Sequence, residues 1–173
     1  MEPHFLGFDP VTLEERFDVV AAQERLDELG DQRGLAALVE KIGLYRITGR
    51  LEEANEAAAE AIRVARLQHD REQLVRVKIA RAAVLRAEGK REQAIHDLSD
   101  SILEAEGNGW WGIVADARRQ RALIRFELEE YAAAHEDFNE ALVLLVRDHA
   151  RPREIDTTMV AVGALLDRVG ARR

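Results

Sequence analysis

Apolar residues recur along this chain with a period of about 40 residues, which lies in the range of helical repeats. The clearest set of equivalent positions holds a small side chain each time: Ala54, Ala94 and Ala134. Four further sets with this period are also apolar, and they are Ala58, Leu98 and Phe138; Ile62, Ile102 and Leu142; Ile42, Ala82 and Ala122; and Leu44, Val84 and Ile124. The spacing within each stretch is that of one helix face. Repeated at a fixed period, it predicts stacked helical hairpins whose small residues let the helices pack closely.

Short polar breaks set the limits of these hairpins. Gly49 and Gly89 follow the first helix of two hairpins, where a glycine in the left-handed conformation would end that helix. The third hairpin has Glu129 at the equivalent position, so its turn must close without glycine. Gly107-Asn108-Gly109 predicts another loop. We therefore predict three hairpins, over 33–68, 70–106 and 110–148.

One further helix is predicted at each end. In the N-terminal segment, 1–32, the capping-box spacing of Thr12 and Glu15 predicts a leading helix that ends at Gly30. Its apolar positions are Leu13, Phe17, Val20, Leu26 and Leu29. In 152–173, Pro152 fits the first turn of a capping helix. The apolar face of that helix is Ile155, Met159, Val162, Leu166 and Val169. The chain is then one all-α domain of about eight helices.

Composition agrees with this prediction and narrows the chemistry. The 173 residues include only 3 prolines and 5% aromatic residues, whereas Ala, Leu, Glu and Arg, which favour helices, are abundant. The absence of cysteine excludes disulfides, thiolate zinc sites and cysteine nucleophiles. No apolar run is long enough to cross a membrane, and the first nine residues do not have the pattern of a signal peptide. We expect a soluble, cytoplasmic protein without a membrane partner.

Charge divides unevenly between the two helices of each hairpin. The predicted first helix of the second hairpin carries five cations against Glu72 alone: Arg71, Arg76, Lys78, Arg81 and Arg86. The predicted second helices are acidic, and the formal net charge of the whole chain is −8. One side of the protein is therefore expected to be locally basic although the protein as a whole is acidic.

Several motifs resemble tetratricopeptide repeats. Residues 49–54, Gly-Arg-Leu-Glu-Glu-Ala, and 89–94, Gly-Lys-Arg-Glu-Gln-Ala, resemble the turn of that family, and 42–45, Ile-Gly-Leu-Tyr, resembles its first-helix signature. Ala94 with Leu98, and Ala134 with Phe138, match its alanine and bulky-residue spacing. The period exceeds the common length of about 34 residues in that family and is similar to the longer repeats of kinesin-light-chain-like members. The resemblance implies a right-handed α-solenoid with the first helices lining a concave groove.

The resemblance also implies where a partner would bind. Lys41, Arg81 and Arg121 share one repeat position, and Arg46 and Arg86 share another. The candidate groove residues are Lys41, Tyr45, Arg46, Arg81, Arg86, Arg121, Arg125 and Phe126. Such cations would bind carboxylates of an acidic peptide. In the alternative interpretation they pair with the acidic second helices of the protein itself. The structural repeat positions are Ala54, Ala94, Ala134, Ala82, Ala122, Gly49 and Gly89.

No catalytic residue, cofactor site or metal site is predicted. The five histidines, His4, His69, His96, His135 and His149, have no histidine three or four residues away, and no phosphate-binding glycine loop occurs. Trp110 and Trp111 are either aromatic anchors of an interface or packing residues at the start of a first helix.

These observations predict a non-catalytic scaffold or adaptor that binds a protein or peptide. One alternative is a self-assembling protein that forms a homodimer through its terminal helices. RNA binding is the weaker alternative, because the chain is acidic and lacks a basic surface interleaved with aromatic residues.

Overall fold

The helical pattern of the sequence is present in the three-dimensional structure, a computed structural model that describes residues 4–9 and 12–170. Within those ranges the elements are β1 (Phe5–Phe8), β2 (Glu15–Phe17), α1 (Val19–Leu29), α2 (Leu35–Ile47), α3 (Leu51–Leu67), α4 (Arg71–Ala87), α5 (Arg91–Gly107), α6 (Trp111–Glu127), α7 (Tyr131–Arg147) and α8 (Pro152–Gly170). The all-α prediction is confirmed, with one small two-stranded sheet added.

The helices from α3 to α7 form a regular series, because all have the same length and begin at even intervals along the chain. The turn after every first helix has a left-handed residue: Gly49 at φ 76°, Gly89 at φ 80° and Glu129 at φ 62°. In the first of them the Arg50 amide donates to the Tyr45 carbonyl at 2.8 Å, a bond typical of a helix that ends at a left-handed residue. The third turn therefore closes in the same way although it has no glycine.

The turns that connect successive hairpins also repeat. His69, Gly109 and His149 occupy equivalent positions in these turns, and their φ angles are 55°, 73° and 52°. Two of the isolated histidines thus occupy the left-handed position of a turn. The sequence pattern does not reveal this equivalence, because two histidines and a glycine share no side-chain property.

Neighbouring helices pack in sequence order, and the first helices of the hairpins also contact one another. α2 contacts α4, and α4 contacts α6. At the crossings between helices, Ala54, Ala82, Ala94, Ala122 and Ala134 are fully buried. Small side chains at these points permit a close approach of the helix backbones. The arrangement is helical-repeat-like, and the first helices share one side of it.

The N-terminal segment differs from its prediction. The interpretation of Thr12 and Glu15 as a capping box is wrong, since Glu15 lies in β2 and the cap of α1 is Asp18, whose carboxylate accepts from the Ala21 amide at 3.0 Å. Leu13 and Phe17 precede α1. Leu13 is buried in a cluster with Phe126, and the Phe17 ring packs against Phe5. β1 and β2 pair antiparallel, with an irregularity between Phe5 and Gly7, and β1 contacts α8.

The buried face of α8 also differs from its prediction. Thr157, Thr158, Ala161, Ala164 and Leu165 are buried, whereas Met159 and Leu166, which the helical spacing places on the apolar face, are 55% and 52% exposed. Small residues on the buried face let α8 approach α7 closely. The larger apolar side chains at Met159 and Leu166 remain on the outside.

Candidate functional site

A groove lies along the side where the first helices meet. Equivalent positions of α2, α4 and α6 line it: Val39, Ile79 and Arg119 in one set, and Glu40, Ala80 and Gln120 in the next. Its volume is about 300 Å³. The opposite wall is the N-terminal β-hairpin, which contributes His4, Phe5, Glu15 and Phe17. We call this space the inner groove.

The cations at positions 41, 81 and 121 do not line the inner groove. The Lys41 side chain is 7% exposed, and its ammonium donates to the Gly30 and Gln32 carbonyls at 2.6 and 2.8 Å. A guanidinium nitrogen of Arg81 lies 3.8 Å from a carboxylate oxygen of Asp97. The Arg81 contact follows the alternative interpretation, in which first-helix cations pair with the acidic second helices, whereas Lys41 binds backbone carbonyls between α1 and α2 instead.

The third of these cations, Arg121, belongs to a buried ionic cluster between α6 and α7. Arg121 donates two hydrogen bonds to Asp137, at 2.7 and 2.8 Å, and one to the Ser99 hydroxyl at 2.9 Å. Arg118 and Arg125 each donate one more to Asp137, at 3.1 and 2.8 Å. The side chain of Asp137 is 1% exposed. A carboxylate shared by three arginines has all its acceptor capacity used, so Asp137 and the arginine groups bound to it are not available to a ligand.

The charge balance of the cluster is completed at Arg118. Burial disfavours the charged guanidinium, but a hydrogen bond to Glu106 and the nearby carboxylates of Glu140 and Asp137 outweigh it, so the pKa of Arg118 lies above its ordinary value. Three arginines therefore face three carboxylates within the cluster. No excess charge is left there for a ligand.

The other predicted cations hold the N-terminal hairpin. Arg86 donates to a carboxylate oxygen of Glu15 at 2.8 Å, and Arg46 lies 3.6 Å from the same oxygen. The Arg46 guanidinium also lies 4.9 Å from the centre of the Phe17 ring. These side chains are largely buried, since Arg46, Arg86 and Glu15 are 10%, 12% and 13% exposed. The acidic ligand expected for Arg46 and Arg86 is thus provided by the chain itself.

The two aromatic residues predicted to line the groove, Tyr45 and Phe126, also make contacts within the protein. Phe126 is 6% exposed and belongs to a buried cluster with Leu13, Ala122, Phe138 and Leu165. Tyr45 is partly buried, with the Arg50 guanidinium 4.7 Å from its ring centre. Neither ring stands free on the surface.

Neither tryptophan lines the inner groove. Trp110 is partly buried against the cluster that joins α4, α5 and α6. Trp111 is 39% exposed, with the Arg147 guanidinium 4.8 Å above its ring. With Val114, Val143 and Leu144 it lines a second, open cavity of about 310 Å³. Trp110 is thus a packing residue, and Trp111 is partly available to a partner.

Neither metal ligands nor a membrane span is found in the described ranges. Nowhere in 4–9 and 12–170 do three or more His, Cys, Asp or Glu side chains group as a metal would require. Among the helices of the same ranges, none combines the length and apolar character needed to cross a bilayer.

The sequence pattern fails to identify four residues of this architecture. It places Leu13, Glu15 and Phe17 in a helix, and it treats Asp137 only as one acid among several. A usable signal exists for Asp137, because Asp97 and Asp137 repeat with the same period as Arg81 and Arg121. No local signal marks the N-terminal residues, since Glu15 binds Arg86, 71 residues away, and Leu13 is buried with residues still further along the chain, Phe126 and Leu165.

Fold and contacts define the class of protein: all-α, helical-repeat-like, with three hairpins between terminal elements. Comparison of the chain with models of known protein families, with curated proteins and with solved structures finds no match. Its function therefore has to be argued from the groove and its surroundings.

Proposed function

We propose that this protein is a tetratricopeptide-like solenoid that acts as a non-catalytic scaffold and binds a segment of a partner protein in the inner groove. The observation that carries the proposal is the origin of the groove: equivalent positions of three successive first helices line it. A groove built by repetition extends along the stack, and it suits an extended chain better than a compact small molecule.

The chemistry of the groove supports a peptide ligand. The two lining sets combine aliphatic Val39 and Ile79 with charged and amide groups, Glu40, Arg119 and Gln120. Glu40 is already paired with Arg25, whose side chain donates two hydrogen bonds to it at 2.7 and 3.2 Å. Apolar contacts would then supply affinity, and the polar groups would set the register of the bound chain.

A photo-crosslinking experiment tests this location. Benzoylphenylalanine is placed at Arg76 or at Asp116, which are equivalent positions that line the groove. The matched control places it at Ala132, an exposed position of the second helix α7. After irradiation in extract of the native host, we expect the same partner adducts from the two groove positions and none from Ala132. Adducts of equal yield at all three positions, or at Ala132 alone, would remove the proposal.

Self-association is the second candidate, and the exposed apolar residues of α8 favour it. Met159, Val160 and Leu166 are 55%, 49% and 52% exposed. Exposed apolar residues on a terminal helix can bury one another in a symmetric dimer. Sedimentation velocity of the wild type and of the Met159→Glu/Leu166→Glu variant tests this candidate. A wild-type protein that stays monomeric at high concentration would exclude it.

A further inference from the structure

One line of equivalent positions contacts the N-terminal segment across all three hairpins. Position 46 of α2, position 86 of α4 and position 126 of α6 hold Arg46, Arg86 and Phe126. Each first helix thus contributes one residue, near its C-terminal end, to a common strip. We call these three residues the recognition strip.

Alternate residues of the N-terminal segment meet the strip in order. The ring of Phe17 lies against Arg46, the carboxylate of Glu15 binds Arg86 and lies near Arg46, and Leu13 is buried in the same cluster as Phe126. Glu15 and Phe17 lie two apart in β2, so their side chains point to the same side, whereas Leu13 precedes β2 in the left-handed conformation, at φ 55°. The segment therefore meets the recognition strip with an acidic and an aromatic side chain from one face of β2, and with the apolar side chain of Leu13 from the turn before it.

The central contact has the geometry of specific recognition. The 2.8 Å hydrogen bond from Arg86 to Glu15 joins two ions that are each almost enclosed, at 12% and 13% exposure. Arg86 is held in place from the other side by Glu127, at 2.7 Å. Charge-assisted hydrogen bonds between positioned and poorly solvated groups discriminate strongly against a neutral or basic residue at that place.

The N-terminal segment that contacts the recognition strip has little stability of its own. It belongs to a two-stranded sheet, β1 with β2, and a hairpin of two strands is marginally stable by itself. Its order therefore depends on contacts with the strip and with α8, where the Phe5 carbonyl accepts a hydrogen bond from Arg153. Asp18 alone separates β2 from α1, so the segment is present at high effective concentration as an intramolecular ligand.

We propose that the recognition strip, which holds the hairpin wall of the inner groove, is a specificity site for the partner segment and that Leu13, Glu15 and Phe17 are an intramolecular copy of the ligand it selects. This inference rests on the proposed function. The partner segment carries an acidic residue and an aromatic residue at alternate positions of an extended stretch, with an apolar residue in a turn two positions before the acidic one. It binds by displacing the N-terminal segment, so the free protein is self-blocked and the partner binds tightly only after exchange.

Fluorescence anisotropy with a labelled peptide of the sequence 12–18, Thr-Leu-Glu-Glu-Arg-Phe-Asp, tests the exchange on the full chain. We expect the Glu15→Gln/Phe17→Ala protein to bind this peptide at least about tenfold more tightly than the wild type, because its own segment competes less. In that background, Arg46→Gln/Arg86→Gln should abolish binding, whereas Arg81→Gln, on the same helix as Arg86 but outside the strip, should not. A peptide with Lys and Ser at the positions of Glu15 and Phe17 should not bind.

Hydrogen exchange of the wild type gives a second readout that needs no variant. The Asp9 amide donates to the Glu14 carbonyl at 2.8 Å, and the Asp18 amide donates to the His4 carbonyl at 2.9 Å. Excess peptide should speed exchange at both amides, and the Lys/Ser peptide should leave them unchanged.

The inference is overturned if the wild type and the Glu15→Gln/Phe17→Ala protein bind the peptide with equal affinity and exchange at the two amides is unchanged. The hairpin would then have a structural role only. Such a result leaves the groove crosslinks at Arg76 and Asp116 as an independent test of the proposed function. Failure of those crosslinks together with successful peptide exchange would instead move the binding site from the groove to the strip alone.

Discussion

Replacement of Asp137 by Asn tests whether the cluster between α6 and α7 supports the fold. The carboxylate accepts four hydrogen bonds from three arginines, at 2.7 to 3.1 Å. Asn keeps the shape of the side chain but loses the charge and half of the acceptor capacity. The arginines that remain, Arg118, Arg121 and Arg125, are only 16%, 12% and 21% exposed. They would be left close together without the anion that separates their charges.

The expected loss can be worked out from these contacts. Each hydrogen bond to a charged group contributes about 1.5–3 kcal/mol, but burial of the ions offsets much of the sum. Removal of one partner from a buried ion pair typically costs about 3–5 kcal/mol, and we expect Asp137→Asn to fall in that range. A loss of this size is a large part of a typical unfolding free energy of about 5–15 kcal/mol. It corresponds to a fall in melting temperature of roughly 6–20 °C at about 2–4 °C per kcal/mol.

The assay is urea unfolding followed by circular dichroism and by tryptophan fluorescence. Both tryptophans lie at the start of α6, so fluorescence reports the region beside the cluster, whereas circular dichroism reports all the helices. Separation of the two transitions in Asp137→Asn would show early loss of the C-terminal hairpin, since repeat proteins can unfold in parts.

Asp97→Asn is the matched control at the equivalent repeat position. Its carboxylate is 27% exposed and lies 3.8 Å from Arg81, so we expect a loss below about 1 kcal/mol. Equal losses in the two variants, or a loss below about 1 kcal/mol in Asp137→Asn, would refute the idea that burial of the shared carboxylate makes the difference.

Two further predictions concern a turn and the acid side of the stability profile. Gly89→Ala should lower the free energy of unfolding by about 1 kcal/mol, because φ is 80° there; Gly163→Ala, in an exposed helical position with no atom close by, should raise it by about 0.5–1 kcal/mol. If the melting temperatures of Gly89→Ala and Gly163→Ala shift in the same direction, the difference in backbone conformation is not the cause. A hydrogen bond from Lys78 holds the pKa of Glu104 below its ordinary value, against the opposing effect of burial. Its contribution is therefore complete above about pH 4.3, the unfolded value, and is lost as pH falls through the lower folded pKa. Glu104→Gln should flatten this acid-side fall in urea titrations, and an unchanged slope would exclude Glu104 as a contributor.

The repeat period allows most of the helical architecture to be predicted from sequence. The hairpin predicted over 70–106 corresponds to α4 and α5, Arg71–Ala87 and Arg91–Gly107, and the hairpin predicted over 110–148 corresponds to α6 and α7, Trp111–Glu127 and Tyr131–Arg147. Small residues at fixed intervals and glycine at two turns are local signals. The small residues predict where helices pack closely, and the glycines predict where first helices end. The prediction fails for the apolar face of α8, because helical spacing alone does not say which of two adjacent faces meets a neighbour.

What the sequence by itself determined is therefore the set of helices, the turns inside the hairpins and the helical positions that are equivalent between hairpins. All of these depend on backbone preferences and on apolar periodicity, which act over a few residues at a time. Only the tertiary structure decided how the charges are used. Arg121 pairs with Asp137, Lys41 with backbone carbonyls, and Arg46 and Arg86 with Glu15. Partners that lie from 9 to 71 residues apart meet only after the helices have packed, since the choice among many carboxylates depends on distance and burial in the folded chain.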